Sequence, residues 1–436
     1  MRGRFGLGLP LQTLLDVGPA SRSRVPGKSV RARARRPGTI LSVVGSSAMT
    51  FPDFDSSTTT TDDGSVEPAD RHAPLRIAVI AHLRHPIAMP FMGGMEAHCH
   101  QLVTALVARG HDVTLFASGD SDPALPLHPI AERHYEAALP WAQWHGTPQL
   151  TAFQDAAFGR AWEAIGAGAY DIVHNNTMHP TLHVLAKRDR TAMVTSLHVP
   201  PFAGLANAVA DTSADWLRQT VTSHAHLATW WTTPPATVSV VHNGIDTARW
   251  RFRAVGDGRA IWAGRITPNK GTAVALEAAI LAGVELDVVG PIDCMDYFTD
   301  RVAPLLDHAR VYRGHLGGDA LVEAIGTASV LLSTPMWDEP FGLIAAEALA
   351  CGVPVAALDR GAMREVVGDC GALATDAASL AQAIDRAAAI PRAACRDRVT
   401  RLFSLKAMAE GYERAYAAAI AGARASSCAS TTEVLA

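Results

Sequence analysis

The chain is poor in charge, in cysteine and in long apolar runs, and each shortage removes a class of function. Asp, Glu, Lys and Arg make up 18% of its 436 residues, against 48% hydrophobic. A chain so rich in core-forming residues is not a mainly disordered one, and its length suggests two or three domains. The six cysteines, Cys99, Cys294, Cys351, Cys370, Cys395 and Cys428, include no C-x-x-C pair and no spacing that suits a zinc module. Scattered thiols of this kind read as reduced, which points to a cytoplasmic protein. The longest apolar stretches, such as Ala415 to Ala423, fall short of the roughly 20 residues of a membrane-spanning helix, which leaves peripheral contact as the membrane role still open.

A field of one sign is lacking too. The net charge of −4 hides nine Lys or Arg against one acid over residues 1–48, then six acids and one Arg over 49–72. The rest holds 28 basic against 35 acidic residues, about −7. That balance gives no general field for nucleic acid, so any phosphate must be held by a few placed cations. Residues 1–72, with R-A-R-A-R-R at Arg31 to Arg36 and a Ser/Thr/Asp run at Ser56 to Asp63, read as a disordered extension. Met49 is an alternative start. The Arg-rich opening has a superficial likeness to a transit peptide but no secretory pattern.

What is present is a repeated alternation. Leu75 to Ala81 is an apolar run of strand length, followed by a loop, a helical stretch from Gly94 to Arg109, and a second strand at His111 to Ala117. Strand, glycine-bearing loop, helix, strand is the signature of a parallel α/β sheet. Further strands are expected at Tyr170 to His174, Ala192 to His198 and Val238 to His242. A second series runs through Ala260 to Gly264, Leu286 to Gly290, Val311 to Gly314, Val330 to Ser333 and Val353 to Leu358. Its helices are expected at Thr272 to Ala282, Met295 to Leu306, Asp319 to Thr327 and Gly342 to Cys351, and one long helix at Lys406 to Ala423 closes the chain. The fold class is therefore α/β with two Rossmann-like, doubly wound domains. Expected limits are 73–237 and 238–405, then a helix over 406–424 and a disordered tail over 425–436.

Ligands of such sheets bind at the carboxyl ends of strands, and four loops there carry chemistry. Trp337 to Val355 reads W-D-E-P-F-G-L-I-A-A-E-A-L-A-C-G-V-P-V, with Glu339 and Glu347 spaced E-x7-E around a helix start at Gly342. Free backbone N–H groups at that start suit an anionic or polyhydroxyl ligand, and a carboxylate suits sugar hydroxyls. The bland alternative is a helix entry whose acids complement its dipole. Trp262 to Thr272 places Gly264, Arg265 and Lys270 after one strand; paired cations serve a departing diphosphate, or are two unrelated surface charges. Gly93 and Gly94 in M-G-G-M-E could admit an anion or form a plain tight turn. His174 and His198 each close a strand, where an imidazole can touch a bound sugar or serve structure alone. Asn243-Gly244 in V-V-H-N-G-I-D is read as a turn, without a catalytic role.

In their order these motifs, G-G-M-E, a strand-ending His, V-x-N-G-I-D, A-G-R-x-x-x-x-K-G and E-P-F-G-L-x-x-x-E, resemble the retaining family-four glycosyltransferases of GT-B fold. The similarity runs from about Leu75 to the last helix and is most specific in the second domain. The resemblance implies two domains facing a cleft, with the last helix crossing back to the first. It implies a nucleoside-diphosphate sugar as donor, with Arg265 and Lys270 on the diphosphate and Gly264 beside it. Glu339 would lie near the transferred sugar, Phe341, Gly342 and Leu343 would supply backbone amides, and Glu347 would bond the ribose. Gly93 and Gly94 would lie by the phosphate and the acceptor from the first domain, and His198 would contact the reacting sugar. No cofactor and no metal are implied, and the acceptor would be a small molecule, a glycan or a lipid. The sequence departs from the pattern where G-G-x-x-E is reduced to R-G-A-M-R-E, keeping Gly361 and Glu365, and where the region before N-G-I-D is condensed.

Three other readings fit less of the sequence. A nucleotide-sugar epimerase or inverting transferase would keep the fold but not this spacing of Arg265 and Lys270 to E-x7-E. A dinucleotide oxidoreductase needs G-x-G-x-x-G after the first strand, where the chain has G-G-M-E. A non-catalytic sugar-nucleotide sensor would not need all four of Arg265, Lys270, Glu339 and Glu347.

Overall fold

Runs such as R-I-A-V-I-A at β1 (Arg76–Ala81) are buried on both faces from the second residue on, as a parallel strand covered by helices on either side must be. The computed structural model describes residues 73–434, with side chains as far as Ser426; the expectations for residues 1–72 lie outside the described residues. The first sheet continues with β2 (Asp112–Ser118), β3 (Leu127–Ala131), β4 (Ile172–Asn176), β5 (Met193–Leu197), β6 (Leu217–Val221) and β7 (Val238–Val240). The second comprises β8 (Ala260–Ala263), β9 (Leu286–Val289), β10 (Arg310–Tyr312), β11 (Val330–Ser333), β12 (Val355–Leu358) and β13 (Gly371–Ala374).

The strand orders are β3-β2-β1-β4-β5-β6-β7 and β10-β9-β8-β11-β12-β13, and the strand pairs of both sheets are parallel. Each order reverses direction once, between β1 and β4 and between β8 and β11. At such a switch point the loops on either side splay apart and leave a crevice above the strand ends.

Two boundaries differ from the sequence reading. Val238 was expected to open the second domain, but β7 pairs with β6 through Gln219↔Val238 and Val221↔Val240, so this short V-S-V run completes the first sheet. The closing helix spans Leu405–Val434 rather than ending near 424, since no Gly or Pro follows Gly422 to stop it. The helix expected over Met295 to Leu306 is instead three short turns, 295–297, 298–302 and 303–305; Pro304 cannot donate the hydrogen bond that would continue it.

The closing helix returns to the first sheet, packing on β4, β5 and β6 and on the helix Gly94–Ala108. Tyr412 and Tyr416 are fully buried with Ile77, Val79 and Leu102, and their hydroxyls find partners, as buried tyrosines require. Tyr416 Oη lies 2.7 Å from His174 Nδ1, and Ser196 Oγ joins Tyr412 Oη at 2.8 Å to His174 Nε2 at 2.9 Å. Arg109 donates twice to Glu413, at 2.6 and 2.7 Å, and His111 adds a bond of 2.9 Å.

The two connections between domains run side by side. Ile245 N–H donates to Phe403 O at 2.7 Å, and a Cβ on Gly244 would stand 2.9 Å from Leu405 Cδ2 and 3.1 Å from Met408 Cβ. The glycine of N-G-I-D thus serves this close passage, where the sequence reading had placed a turn.

Candidate active site

The loops after β1, β8 and β11 enclose a cleft of about 500 Å³ between the two sheets. Its floor is built by two loops of the second domain that lock onto each other. The hydroxyl of Thr334, just past β11, accepts from Trp262 Nε1 at 3.0 Å and donates to Gly271 O at 2.9 Å, while Met336 N–H donates to Asn269 O at 2.8 Å. Gly271 has φ +69°, and a Cβ there would run into Thr334 O, so the glycine of K-G is required by both conformation and space. This lock delivers Lys270 to Glu339: Nζ lies 2.7 Å from Oε2, which also accepts from Trp337 Nε1 at 2.8 Å.

Glu339 is fixed from behind as well. Ala362 N–H donates to Glu339 O at 2.8 Å, and Gly361, at φ +54°, presses on the Glu339 backbone so closely that a Cβ would collide with its N and O. Gly361, which the sequence reading left as a remnant, is what lets that loop seat. Gly342, at φ +87°, caps the helix Leu343–Ala350 with its N-terminus toward the cleft. Phe341 contributes only its backbone, since its side chain is buried against Phe403 at 5.5 Å between centroids.

The helix Gly94–Ala108 faces this one from the first domain, and a Cβ on Gly94 would meet Leu343 Cδ1 at 2.7 Å. Gly94 is therefore the glycine that allows two positive helix ends to converge on the cleft; Gly93 is extended, at φ −165°, a conformation open to any residue. Glu96 behind them is buried and 3.3 Å from His82 Nε2, and burial raises its pKa.

The cleft is lined by Gly93, Gly94, His198, Gly264, Arg265, Lys270, Glu339, Phe341, Gly342, Leu343 and Glu347, so the residues to which the resemblance gave a role at the donor or the reacting sugar are gathered there. Arg265 sits at the rim, 56% exposed, 3.2 Å from Asp293. Glu347, the fifth residue of its helix, has its pKa pushed up to about 7 by burial, with Arg249 pulling the other way. His198 Nε2 donates to Asn176 Oδ1 at 2.7 Å. Burial, then the neighbouring His98, hold its pKa well below 6.5, so the ring is neutral and suited to hydrogen bonding rather than to acting as an acid.

Two residues fall elsewhere. His174 is enclosed by Ser196 and Tyr416 and does not line the cleft. Glu365 turns away to His224 and His242; although burial opposes it, their hydrogen bonds hold its carboxyl down at about 2. Residues the sequence reading passed over also line the walls: Gln101, Asn243, Arg249, Asn269, His315 and Trp337. His315 follows β10 and could have been found by the same strand-end rule; Gln101 and Arg249 carry no local signal.

Two Rossmann-like domains facing a cleft at their strand ends, with a lysine–carboxylate pair and two helix N-termini in it, define a two-domain GT-B protein. Comparison with known proteins narrows the class. Residues 92–249 match Glycosyltransferase Family 4, and residues 246–389 match Glycosyl transferases group 1. The chain is 27% identical over 418 residues to a glycogen synthase of Mycobacterium tuberculosis, covering 80% of this chain and 96% of that relative. It is 28% identical to a D-inositol 3-phosphate glycosyltransferase of Mycolicibacterium vanbaalenii, covering 69% and 79%. Among solved structures, AviGT4, a glycosyltransferase of avilamycin A biosynthesis, aligns with TM-score 0.61 at 21% identity over 80% of this chain and 99% of that one. A sucrose-phosphate synthase from Thermosynechococcus elongatus aligns with TM-score 0.63 at 20% identity over 78% and 98%. The chain belongs to the family-four glycosyltransferases of GT-B fold. It is a glycosyltransferase, with a sugar donor and an acceptor as its substrates, and no helix of the described residues is long and apolar enough to cross a membrane.

Proposed function

We propose that the protein is a retaining glycosyltransferase that takes its sugar from a nucleoside-diphosphate donor held on the second domain, without a metal ion at the diphosphate. The observation that carries this reading is the convergence of Lys270, Arg265 and the N-terminus of Leu343–Ala350 on one cleft whose opposite wall is a second helix N-terminus. Two cations and two helix ends supply the positive field that a leaving diphosphate needs as its charge grows. A cleft of about 500 Å³ is of the size that holds such a ligand.

In this reading the diphosphate draws Lys270 from Glu339, which leaves that carboxylate beside the transferred sugar to orient its hydroxyls. Glu347 accepts hydrogen bonds from the ribose, as its place farther along the same helix allows. The glycosidic bond to the diphosphate breaks as the acceptor hydroxyl attacks the same face of an oxocarbenium-like sugar and passes its proton to the departing diphosphate oxygen, and configuration is retained. His198, neutral and anchored by Asn176, contacts that sugar from the first domain. The acceptor, a small molecule, a glycan or a lipid, enters past Pro90 to Met92, and the work is done in the cytoplasm.

The test is thermal unfolding of the protein against a panel of nucleoside diphosphates in a chelator. Stabilisation by one of them, lost in Lys270→Ala, is expected. No shift with any nucleotide in a well-folded sample would overturn the donor assignment.

A further inference from the structure

Three side chains that sugar transfer leaves unused meet where the two domains join. His224 opens the first-domain helix His224–Trp230, His242 lies in the connection after β7, and Glu365 belongs to the second-domain helix Met363–Val367. Glu365 Oε1 is 2.9 Å from His224 Nδ1 and 2.6 Å from His242 Nε2, and the three ligand atoms lie within 4.8 Å of one another. Among the described residues no other three His, Cys, Asp or Glu come together in this way. None of the three lines the cleft.

We propose that His224, His242 and Glu365 form a binding site for a divalent transition-metal ion, with Zn²⁺ the best match, that clips the first domain to the second. Two imidazole nitrogens and one carboxylate oxygen are a borderline donor set that suits zinc. The set is wrong for magnesium or calcium, which take oxygen. Three protein ligands leave a fourth tetrahedral position, and the His224 side chain, 70% exposed, opens that position to water. Tetrahedral zinc with bonds near 2.0–2.2 Å sets its ligand atoms about 3.3 Å apart. The two contacts to Glu365 therefore need to open by less than about 1 Å, which the exposed ring of His224 can supply. Each imidazole would then present a neutral lone pair to the ion, its proton on the other ring nitrogen.

The ligands are braced as metal ligands are. Glu365 Oε2 accepts the backbone N–H groups of His224 at 2.8 Å and Ala225 at 3.4 Å, which leaves Oε1 to the two rings. His242 stands edge-on to Phe403 at 5.1 Å and tilted to Phe341 at 6.2 Å, which fixes its plane. The clip sits beside a seam that already bears on the cleft, because Thr222 and Ser223 both donate to Pro340 O, at 2.9 and 2.7 Å. An ion bound by both domains stabilises that closed seam in proportion to its affinity.

The test is calorimetric titration of ZnCl₂, with MgCl₂ alongside, into the full chain carrying a tag without histidines and stripped with chelator. One saturable equivalent of zinc, no magnesium uptake and a zinc-dependent rise in melting temperature are expected. His224→Ala, at a side chain 70% exposed, should weaken zinc at least about tenfold and abolish the rise, and His242→Gln should act likewise. His145→Ala, an exposed histidine elsewhere, should change nothing. No saturable uptake by the parent protein, or the same affinity in His224→Ala and the parent, would overturn the site.

Discussion

Glu347 offers the sharpest probe of the site, because it is a carboxylate that the fold holds against its own interest. Burial pushes its pKa from 4.5 to about 7, with Arg249 only partly opposing. A rise of roughly 2.5 units, at 1.36 kcal/mol each, means that the ionised group costs the ligand-free protein about 3 kcal/mol as a ceiling. The sign follows from proton binding. Between pH 4.5 and 7 the folded protein binds more protons here than the unfolded chain does, so stability falls as pH rises through that window. Glu347→Gln keeps the shape and removes the charge. Urea unfolding of parent and variant at pH 4, 5, 6, 7 and 8 should show nearly equal stability at pH 4 and an advantage to the variant that grows toward about 3 kcal/mol by pH 8. Curves that stay parallel across the series would refute the reasoning, since they would mean that the carboxylate is hydrated in the folded state. The same charge gives a second readout. In the proposed reading ribose hydroxyls donate to Glu347 and favour its ionised form, so nucleoside-diphosphate binding at pH 7 should release protons. Calorimetry in buffers of different ionisation heat measures that release, and the Gln variant should show none of it and bind more weakly.

Gly361→Ala forces a Cβ at φ +54° onto the backbone of Glu339. It should cost about 1–3 kcal/mol of stability and raise the nucleotide Kd, measured by denaturant melts and titration; an unchanged Kd would show that the Glu339 loop does not depend on this contact. Glu413→Ala strips Arg109 and His111 of a buried partner, and because the Arg109 side chain is itself 29% exposed the cost in urea unfolding should be about 1–3 kcal/mol. Although burial opposes it, hydrogen bonds from Arg109 and His111 hold the Glu413 carboxyl below its ordinary range. Its contribution is therefore present above about pH 4.5 and lost as pH falls through the lowered value, and the gap between parent and Glu413→Ala should close in acid.

Legibility along the chain followed local pattern. The apolar runs at β1, β8 and β11 announced themselves, and Thr272 to Ala282 ends at Gly283, a left-handed cap at φ +67°. Strands without that pattern did not: β3 reads L-H-P-I-A, β6 L-R-Q-T-V and β13 G-A-L-A. They are strands because a neighbour offers a free edge. The 20-residue helix Pro148–Ala167 did carry a start signal, Thr147 accepting from Leu150 N–H ahead of a first-turn proline, but its apolar stripe is diluted by polar residues.

Motif spacing within a single loop is a local matter, and so the sequence by itself determined the α/β alternation, the two tandem sheets and the residues of the cleft wall in W-D-E-P-F-G-L and A-G-R-x-x-x-x-K-G. Partnership across the chain is not local. His174 and His198 were both expected to close a strand, but His174 stands in the middle of β4 and is taken by Tyr416, 242 residues on, while His198 follows the end of β5 and is left at the cleft. Glu365 kept its motif position but was claimed by His224 and His242 from 141 and 123 residues away. Which polar group is spent on holding the fold and which stays available to a ligand depends on what lies within about 3 Å of it. That distance is set only once the two sheets, their connections and the returning helix have packed.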